Sequence, residues 1–539
     1  MKNSLKARAL AATAAIGLAF VSGCSANPGP PPVVEDSDDQ ESTVQETEST
    51  TAATDDGPPR AEEDDSRPTI SIGVDPLRAG LNPHLVANNS ELVDQIAELV
   101  LPSTFHWGRM DTDVLESATE VTAPEGVAQR VRYVIASPAQ WSDGTPISGA
   151  DFNYLWKKMT TTAGVKDPAG YRAISAVTTS DGGRVVTVDF AERVKDWKQL
   201  FNQLLPSHLL QNADFDSVLA NDIPASAGRF AVDSVDRSRG VITLNRNDRF
   251  WGADPAHIDV VQLREVRDST QALNMLRSGQ IGFADFTPDQ TSQEALGLLG
   301  HVSDKTVTRP RQLRLHMSTE QGALEDAAAR RGLASLIDTG QVARLATGRA
   351  SNLKAGHNPV SGEANLTALR ERASKKPIRF AVDPTSPTAL AAANTLYDVL
   401  EAHGIPAEVT TDRLTTITSK LLPEGKVDAV VTWEDITLTS LSAASIFNCA
   451  EDQPLAGDLS GFCPDNAAET RMDILSGKIS PSTALGRIRE INAQDVLYVP
   501  LLDETRVHAL GEGIVGPGQS IDDWDKGLVT APVWRKDED

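Results

Sequence analysis

The stretch Trp141–Phe152, WSDGTPISGADF, carries the strongest indication of how this chain folds. Its Asp143-Gly144 pair favours a tight turn, and Pro146 stiffens the exit from that turn. Ser148 is suited to cap the N-terminus of a helix. The next apolar side chains recur at helical spacing and share one helix face: Phe152, Leu155, Trp156 and Met159. The stretch therefore predicts a turn that leads directly into an amphipathic helix.

This arrangement resembles the W-S-D-G-x-P-hydroxyl-x-x-D signature of family 5 extracytoplasmic solute-binding proteins, the oligopeptide- and dipeptide-binding type. Three further blocks resemble the family in its own order: 228–252, 267–280 and 324–338. The resemblance implies an α/β fold with an α+β insertion, two-lobed like a type II periplasmic binding protein, with an extra subdomain. In such a fold the lobes close on a ligand held in the cleft between them.

Local patterns agree with that fold class. Period-2 alternation predicts half-buried strands around residues 70–74, 186–190 and 378–382, and the apolar run 427–431 predicts a buried strand. Apolar residues at helical spacing predict a helix over 388–403, with Pro387 just before it and Gly404 as its stop. The order strand, helix, short segment 407–410, strand is typical of a βαβ lobe.

The resemblance also implies a division of the chain. The expected segments are a leader (1–24), an acidic stalk (25–68), lobe I (69–106, 224–305 and 495–539), an inserted subdomain (107–223) and lobe II (306–494).

The N-terminal residues indicate export. Lys2, Lys6 and Arg8 form a positive segment, and the apolar run 9–21 is too short to cross a membrane as a helix, which needs about 20 residues. Small residues then precede Cys24, which resembles the lipobox of bacterial lipoproteins, where the cysteine thiol takes a diacylglycerol. We expect the protein to be held by this lipid on the extracytoplasmic face of the cell membrane.

The stalk and the overall charge restrict the partners. Residues 25–68 contain 13 acidic and two basic residues and no aromatic residue, so we expect them to be disordered. The whole chain carries a formal net charge of −25 and has no basic stripe. A surface of this sign repels phosphate backbones, and a nucleic-acid partner is therefore not expected.

Cys449 and Cys463 are the other two cysteines. In an exported protein an even pair favours a disulfide, here closing a loop worth about 3 kcal/mol. A metal site is the alternative, but no histidine lies within that loop to complete it.

A narrower resemblance, to actinobacterial LpqW-type lipoproteins, rests on residues 81–84, 100–105 and 167–171 and on the late cysteine pair. It implies an accessory or regulatory role in the assembly of mannosylated phosphatidylinositol, lipomannan and lipoarabinomannan. The partner would be a glycolipid or a membrane mannosyltransferase. The alternative is the substrate-binding subunit of an ABC importer, with a peptide ligand and an ABC permease as partners.

Candidate ligand-binding residues follow from the resemblance. Peptide importers of the family anchor the ligand's amino group with the aspartate of a W-x-x-D-Y motif, and the matching stretch here is Trp433-Glu434-Asp435-Ile436. The spacing is one residue short and no tyrosine follows, which argues against a peptide. Glu434 or Asp435 remains a candidate anchor. Trp433 offers a flat face for a sugar ring, or else belongs to the core.

Three residues of the N-terminal region are further candidates. Asn82 and His84 lie on the loop after the first strand, where α/β clefts open, although both are also suited to building that loop. Trp107 enters the inserted subdomain.

No catalytic motif is present. The sequence lacks a G-x-S-x-G elbow, an H-E-x-x-H helix, a C-x-x-C pair, a P-loop and a dinucleotide fingerprint. We therefore expect no enzymatic activity, no cofactor and no metal.

Overall fold

The structure, a computed structural model, describes residues 67–449, 459–518 and 520–537. The predicted leader, Cys24 and nearly all of the predicted stalk lie outside these ranges.

The strands are β1 (Thr69–Val74), β2 (Phe105–His106), β3 (Arg109–Met110), β4 (Leu115–Val121), β5 (Gln129–Ile135), β6 (Ile174–Ser180), β7 (Val185–Phe190), β8 (Phe230–Asp236), β9 (Val241–Arg246), β10 (Val260–Glu265), β11 (Phe283–Phe286), β12 (Ser303–Met317), β13 (Lys354–Ala355), β14 (Ile378–Val382), β15 (Ala407–Thr411), β16 (Ala429–Asp435), β17 (Tyr498–Leu510), β18 (Ile514–Val515) and β19 (Arg535–Lys536).

The α-helices are α1 (Glu91–Val100), α2 (Gly149–Thr161), α3 (Ala169–Arg172), α4 (Ser207–Leu210), α5 (Ser269–Arg277), α6 (Ser292–Leu296), α7 (Ala327–Ser335), α8 (Thr339–Thr347), α9 (Thr367–Lys375), α10 (Pro387–Ala402), α11 (Leu414–Thr416), α12 (Ser440–Ile446), α13 (Ala467–Leu475) and α14 (Pro481–Asp495). Shorter 3-10 segments are Val86–Asn88, Asp181–Gly183, Trp197–Gln199, Ile521–Trp524 and Gly527–Val533, and Ile417–Leu421 is a π-helical turn.

One mixed sheet of 11 strands runs through the protein in the order β15-β14-β16-β12-β17-β11-β1-β10-β9-β8, with β13 on β17. Strands β11, β1 and β10 are parallel neighbours at one end, and β15, β14 and β16 are parallel neighbours at the other. We call these two ends lobe I and lobe II. Their main hydrophobic cores are separate clusters, one around Ile72 and Phe283 and one around Phe380 and Leu315. The two-lobed fold is therefore confirmed.

Two long antiparallel strands, β12 and β17, connect the lobes. Residues 303–308 of β12 pair with 505–510 of β17 beside lobe I, and residues 312–316 pair with 498–503 beside lobe II. The register slips between Thr308 and Gln312, so that Arg309, Pro310 and Arg311 fall in the break. An irregular pairing of this kind bends a strand locally, which suits a connection between two lobes.

A separate four-stranded sheet, β4-β5-β7-β6, lies within the predicted inserted subdomain. Helix α2 packs against it, and the predicted turn and cap at its start are confirmed. Gly144 has a φ of 89°, and Ser148 forms a capping box with Asp151. Asp151 also accepts hydrogen bonds from the backbone and side chain of Ser207, which joins α2 to α4. The boundaries of the subdomain and of the lobes stay predictions.

Two local predictions need correction. Pro387 is the first residue of α10 rather than the residue before it. Proline suits this position because the backbone N–H of a first helical residue has no partner within the helix, so its absence costs no hydrogen bond. The buried strand expected over 427–431 is β16, which begins at Ala429 and continues to Asp435. Its last residues pair with β12 beyond the end of β14, so Trp433 and Glu434 lie at the margin of the lobe.

Candidate functional site

A cavity of about 420 Å³ is lined by both lobes, and we call it the cleft cavity. Asp75, directly after β1, and Asp289 line it from lobe I, while Asp383, directly after β14, and Trp433 line it from lobe II. The cavity therefore lies where parallel strands of both lobes end. In open α/β sheets this is where ligands bind.

Buried ion pairs surround the cleft cavity on the β17 side. Arg506 Nη1 lies 2.8 Å from Asp75 Oδ2, and Arg506 Nε lies 2.5 Å from Asp285 Oδ1. Burial alone would raise the pKa of Asp285, but the positive charge of Arg506 and the bonds from His508 hold it far below its usual value. The carboxylate charge of Asp285 is thus neutralised within the protein.

Arg311, in the register break of β12, is neutralised in the same way. Its Nη1 donates to both carboxylate oxygens of Glu504, at 3.1 and 3.0 Å. Its guanidinium also lies over the ring of Trp433, 5.7 Å from the ring centroid. The stacking orients one face of the indole, a half-buried side chain that lines the cleft cavity.

Trp433, Glu434 and Asp435 do not share one site. Successive residues of an extended strand point to opposite sides. Glu434 accordingly faces away from Trp433. It lines a second cavity of about 120 Å³, the rear cavity, together with Asp435, the last residue of β16. The other walls of the rear cavity are mostly apolar. Burial would raise the pKa of Glu434, but Arg314, 2.6 Å away, and His316 lower it to about 2. Asp435 Oδ1 accepts a hydrogen bond from the backbone N–H of Thr437 at 2.7 Å.

Asn82 and His84 hold the loop after β1 together. Asn82 is buried, donates to the carbonyl of Phe215 at 2.9 Å and accepts from the backbone N–H of His84 at 3.1 Å. The His84 ring lies against Phe215 and bonds the carbonyl of Gln203 at 2.9 Å. Burial lowers the pKa of His84 to about 4. These contacts fit the loop-building alternative, and ligand contact at either residue stays a prediction.

Trp107 lies away from the cleft cavity. The residue is 74% exposed, its backbone φ is 49°, and Lys526 Nζ lies 4.3 Å from the centroid of its ring. It lines a separate cavity of about 290 Å³. The neighbouring His106 bonds Glu98 at 2.7 Å and Asp111 at 3.0 Å, and these bonds overcome burial and raise its pKa to about 9.

Sequence reasoning missed most polar residues of the cleft cavity, among them Asp75, Arg311, Arg349 and Arg506. Asp75 had a usable signal, because it directly follows the first predicted strand. The arginines had none, since each comes from a different segment and only the sheet brings them together.

Cys449 and Cys463 form a disulfide, with their Cα atoms 5.7 Å apart. Among the described residues, no group of three or more His, Cys, Asp or Glu side chains is arranged to hold a metal ion. In the same part of the chain, no helix is both long and apolar enough to cross a membrane.

The separate cores, the connecting strands and the cleft cavity define a two-lobed binding protein. Residues 128–440 match the profile of the bacterial extracellular solute-binding proteins, family 5. The chain belongs to this family of solute-binding proteins.

Two curated relatives are similar in sequence. The chain is 31% identical over 360 residues to the probable monoacyl phosphatidylinositol tetramannoside-binding protein LpqW of Mycobacterium tuberculosis, covering 64% of this chain and 54% of that one. It is 28% identical over 277 residues to the oligopeptide-binding protein OppA of Mycobacterium bovis, covering 49% and 46%. The chain thus spans about half the length of each relative.

Solved structures share the fold. One is a mannohexaose-bound periplasmic oligopeptide-binding protein of Thermotoga maritima, with a TM-score of 0.64 and 15% identity, covering 88% of this chain and 99% of that one.

Proposed function

We propose that this protein is an accessory lipoprotein of the cell envelope that binds the headgroup of a mannosylated phosphoinositide in the cleft cavity. In this role it assists a membrane mannosyltransferase step of lipomannan and lipoarabinomannan assembly. The proposal is supported by the relationship to LpqW, whose name describes binding of a phosphatidylinositol tetramannoside. A volume of about 420 Å³ is ordinary for a small-ligand pocket and too small for a whole lipid, so only part of the headgroup is placed there.

The observation that carries the choice of ligand is the separation of Trp433 from its acidic neighbours. Trp433 lines the cleft cavity, where a flat aromatic face suits the C–H surface of a sugar ring. Glu434 and Asp435, the candidate anchors for a peptide amino group, line the rear cavity instead. A peptide in the cleft cavity would therefore lack the anchor that peptide importers use.

Binding is tested with the deacylated headgroup, glycerophosphoinositol tetramannoside, by thermal unfolding and calorimetry. A ligand at 100 times its Kd stabilises a protein by about 2.7 kcal/mol. We expect stabilisation of this size with the headgroup and none with a pool of di- to nonapeptides. Stabilisation by peptides alone would overturn the proposal. In cells, unchanged lipomannan and lipoarabinomannan after clean deletion of the gene would argue equally strongly against it.

The second candidate function is delivery of peptides to an ABC permease. It is favoured by the relationship to OppA and by membership of a family that includes peptide-binding proteins. Peptide-induced stabilisation, together with loss of peptide uptake in the deletion strain, would support this function.

The proposal includes anchoring through a lipid on Cys24. The variant Cys24→Ser is expected to leave the membrane fraction, and mass spectrometry of the wild-type N-terminus should detect a diacylglycerol on the cysteine. An unmodified Cys24 in membrane-derived protein would contradict this part of the proposal.

A further inference from the structure

Three arginines that line the cleft cavity are buried, but only two of them have a carboxylate partner. Arg506 pairs with Asp75 and Asp285, and Arg311 pairs with Glu504. Arg349 is 4% exposed, and no ion pair of the described residues includes it. Arg349 is therefore a buried cation in the wall of the cavity, and no carboxylate of the described residues contacts it to neutralise its charge.

The backbone fixes the position of Arg349. Helix α8 ends at Thr347, Gly348 takes the left-handed conformation with a φ of 68°, and the chain then turns toward β17. The Nη2 of Arg349 donates to Thr505 Oγ1 at 2.6 Å. The Nε and Nη1 atoms are buried and have no hydrogen-bond partner among the residues that the structure describes.

Both lobes meet at this point. Directly after Arg349, the backbone N–H of Ala350 donates to Gln290 Oε1 at 2.6 Å, and Asn352 donates to Gln293 Oε1 at 2.8 Å. Gln293 belongs to α6 at the lobe I end of the sheet, and Gln290 lies just before this helix. A group bound at Arg349 therefore lies within reach of both lobes.

An unneutralised buried guanidinium is costly, because desolvation of its charge is not repaid. Burial lowers the pKa of Arg349, and the negative charge of Asp289 opposes this effect, but an arginine side chain keeps its proton in proteins. A guanidinium offers planar N–H donors in a fork that matches the two oxygens of a phosphate or carboxylate. Nη2 gives one of its two N–H groups to Thr505, so either Nε or Nη1, together with the second N–H of Nη2, forms a fork for two ligand oxygens.

We infer that Arg349 is an oxyanion subsite of the cleft cavity and binds the phosphodiester or carboxylate group of the ligand. Together with Trp433 it gives the cavity one charged and one flat aromatic contact. The inference rests on the proposed function in that it places the ligand in the cleft cavity. It specifies which chemical group of the ligand is held, and where.

The test compares ligands with and without an anionic group, and the substitution of Arg349 isolates the contribution of that group. Calorimetry is carried out with glycerophosphoinositol tetramannoside against neutral mannotetraose, and with peptides that have a free against an amidated C-terminus. The variants are wild type, Arg349→Gln and Arg344→Gln. Arg344 is an exposed residue of helix α8, which directly precedes Arg349, so its substitution makes the same change in charge outside the cavity.

We expect wild type and Arg344→Gln to bind the phosphate-bearing headgroup at least ten-fold more tightly than neutral mannotetraose. Arg349→Gln is expected to lose this preference. Full retention of the preference in Arg349→Gln would overturn the subsite and leave the proposed function intact. Wild type could instead prefer peptides with a free C-terminus over amidated ones, and Arg349→Gln could abolish that preference. This result would support the subsite and contradict the glycolipid proposal.

If wild type binds neither pair, inorganic phosphate is the probe. Greater thermal stabilisation of wild type than of Arg349→Gln by phosphate would support the subsite, and equal stabilisation would overturn it. Without ligand, Arg349→Gln should unfold at the wild-type temperature or above it, because it removes an unneutralised charge. If that variant does not fold, Arg349→Lys keeps the charge but not the fork. Loss of at least half of the preference then supports the inference, and an undiminished preference contradicts it.

Discussion

The cleft cavity and the rear cavity meet at neighbouring residues of one strand, Trp433 and Glu434, yet they differ in size and charge. The cleft cavity has a volume of about 420 Å³, and its wall includes Arg349, a buried arginine with no carboxylate partner in the described part of the chain. The rear cavity has a volume of about 120 Å³, and the charge of Glu434 in it is neutralised by Arg314 at 2.6 Å.

This difference separates polar groups that the fold uses from polar groups that remain available. A buried charge with a partner of opposite sign stabilises the folded chain and has little left to offer a ligand. A buried donor without a partner costs stability unless something binds it. The proposed function and the Arg349 subsite accordingly place the ligand in the cleft cavity.

The largest expected effect is that of breaking a neutralised pair beside the cleft cavity. Arg506→Met removes the cation of Asp75 and the nearest cation of Asp285, and we expect it to lower the free energy of unfolding by about 3–5 kcal/mol. Urea denaturation measures the loss, with Arg344→Met as the control on an exposed surface. A loss below about 1 kcal/mol would contradict the view that the paired arginines are structural.

His84 represents a third case beside the paired and the unpaired charge: an ionisable group that is buried in its neutral form. Its pKa is about 4 in the folded protein and 6.5 when unfolded, so the unfolded chain takes up the proton first as the pH falls. Stability is present in full above pH 6.5 and is lost between pH 6.5 and 4, by about 3 kcal/mol. His84→Gln should remove that part of the acid sensitivity, measured as the difference between the two stability curves. Identical curves would show that His84 does not cause it.

Glu434 gives the corresponding test of the rear cavity at lower pH. Its pKa is about 2 in the folded protein and 4.5 when unfolded, so its contribution is present above pH 4.5 and is lost as the pH falls toward 2. A pKa shift of this size corresponds to about 3 kcal/mol. The loss is smaller than that, because solvent screens a side chain that is 30% exposed. Glu434→Gln should flatten this part of the stability curve and leave ligand affinity unchanged. A fall in affinity would instead assign the ligand to the rear cavity.

The smallest expected effect concerns the two tryptophans predicted to contact ligand. Trp433→Leu removes the flat face in the cleft cavity, and we expect it to weaken headgroup binding roughly ten-fold, on the order of 1 kcal/mol. Trp107→Leu is the matched control, because Trp107 is 74% exposed and lies at another cavity. Calorimetry with glycerophosphoinositol tetramannoside decides between them. Equal losses, or a loss only in Trp107→Leu, would remove Trp433 from the site.

The fold was predictable because its indications are local. The turn at Gly144, the cap at Ser148 and the alternation along β1, β7 and β14 each depend on a few consecutive residues. Even the errors were local, such as the place of Pro387 within α10. The family resemblance then supplied the two-lobed arrangement that these elements alone do not specify.

The candidate site was less predictable. Trp433 does line the cleft cavity, but its neighbour Glu434 faces the rear cavity. The sequence alone does not show which face of β16 is turned toward which cavity. Asn82 and His84 were predicted as ligand contacts because they follow β1. In the structure, the side chain of Asn82 bonds the carbonyl of Phe215, and the ring of His84 bonds the carbonyl of Gln203.

The amino-acid sequence by itself determined the fold class, the family and the strands and helices, because propensity, periodicity and motif spacing act over short stretches of chain. The tertiary structure alone decided which charges are neutralised. Residues 75, 285 and 506 are far apart in the chain and adjacent in space, whereas Arg349 has no such partner within residues 67–449, 459–518 and 520–537. Neutralisation depends on distances of a few ångströms between segments that only the folded sheet brings together.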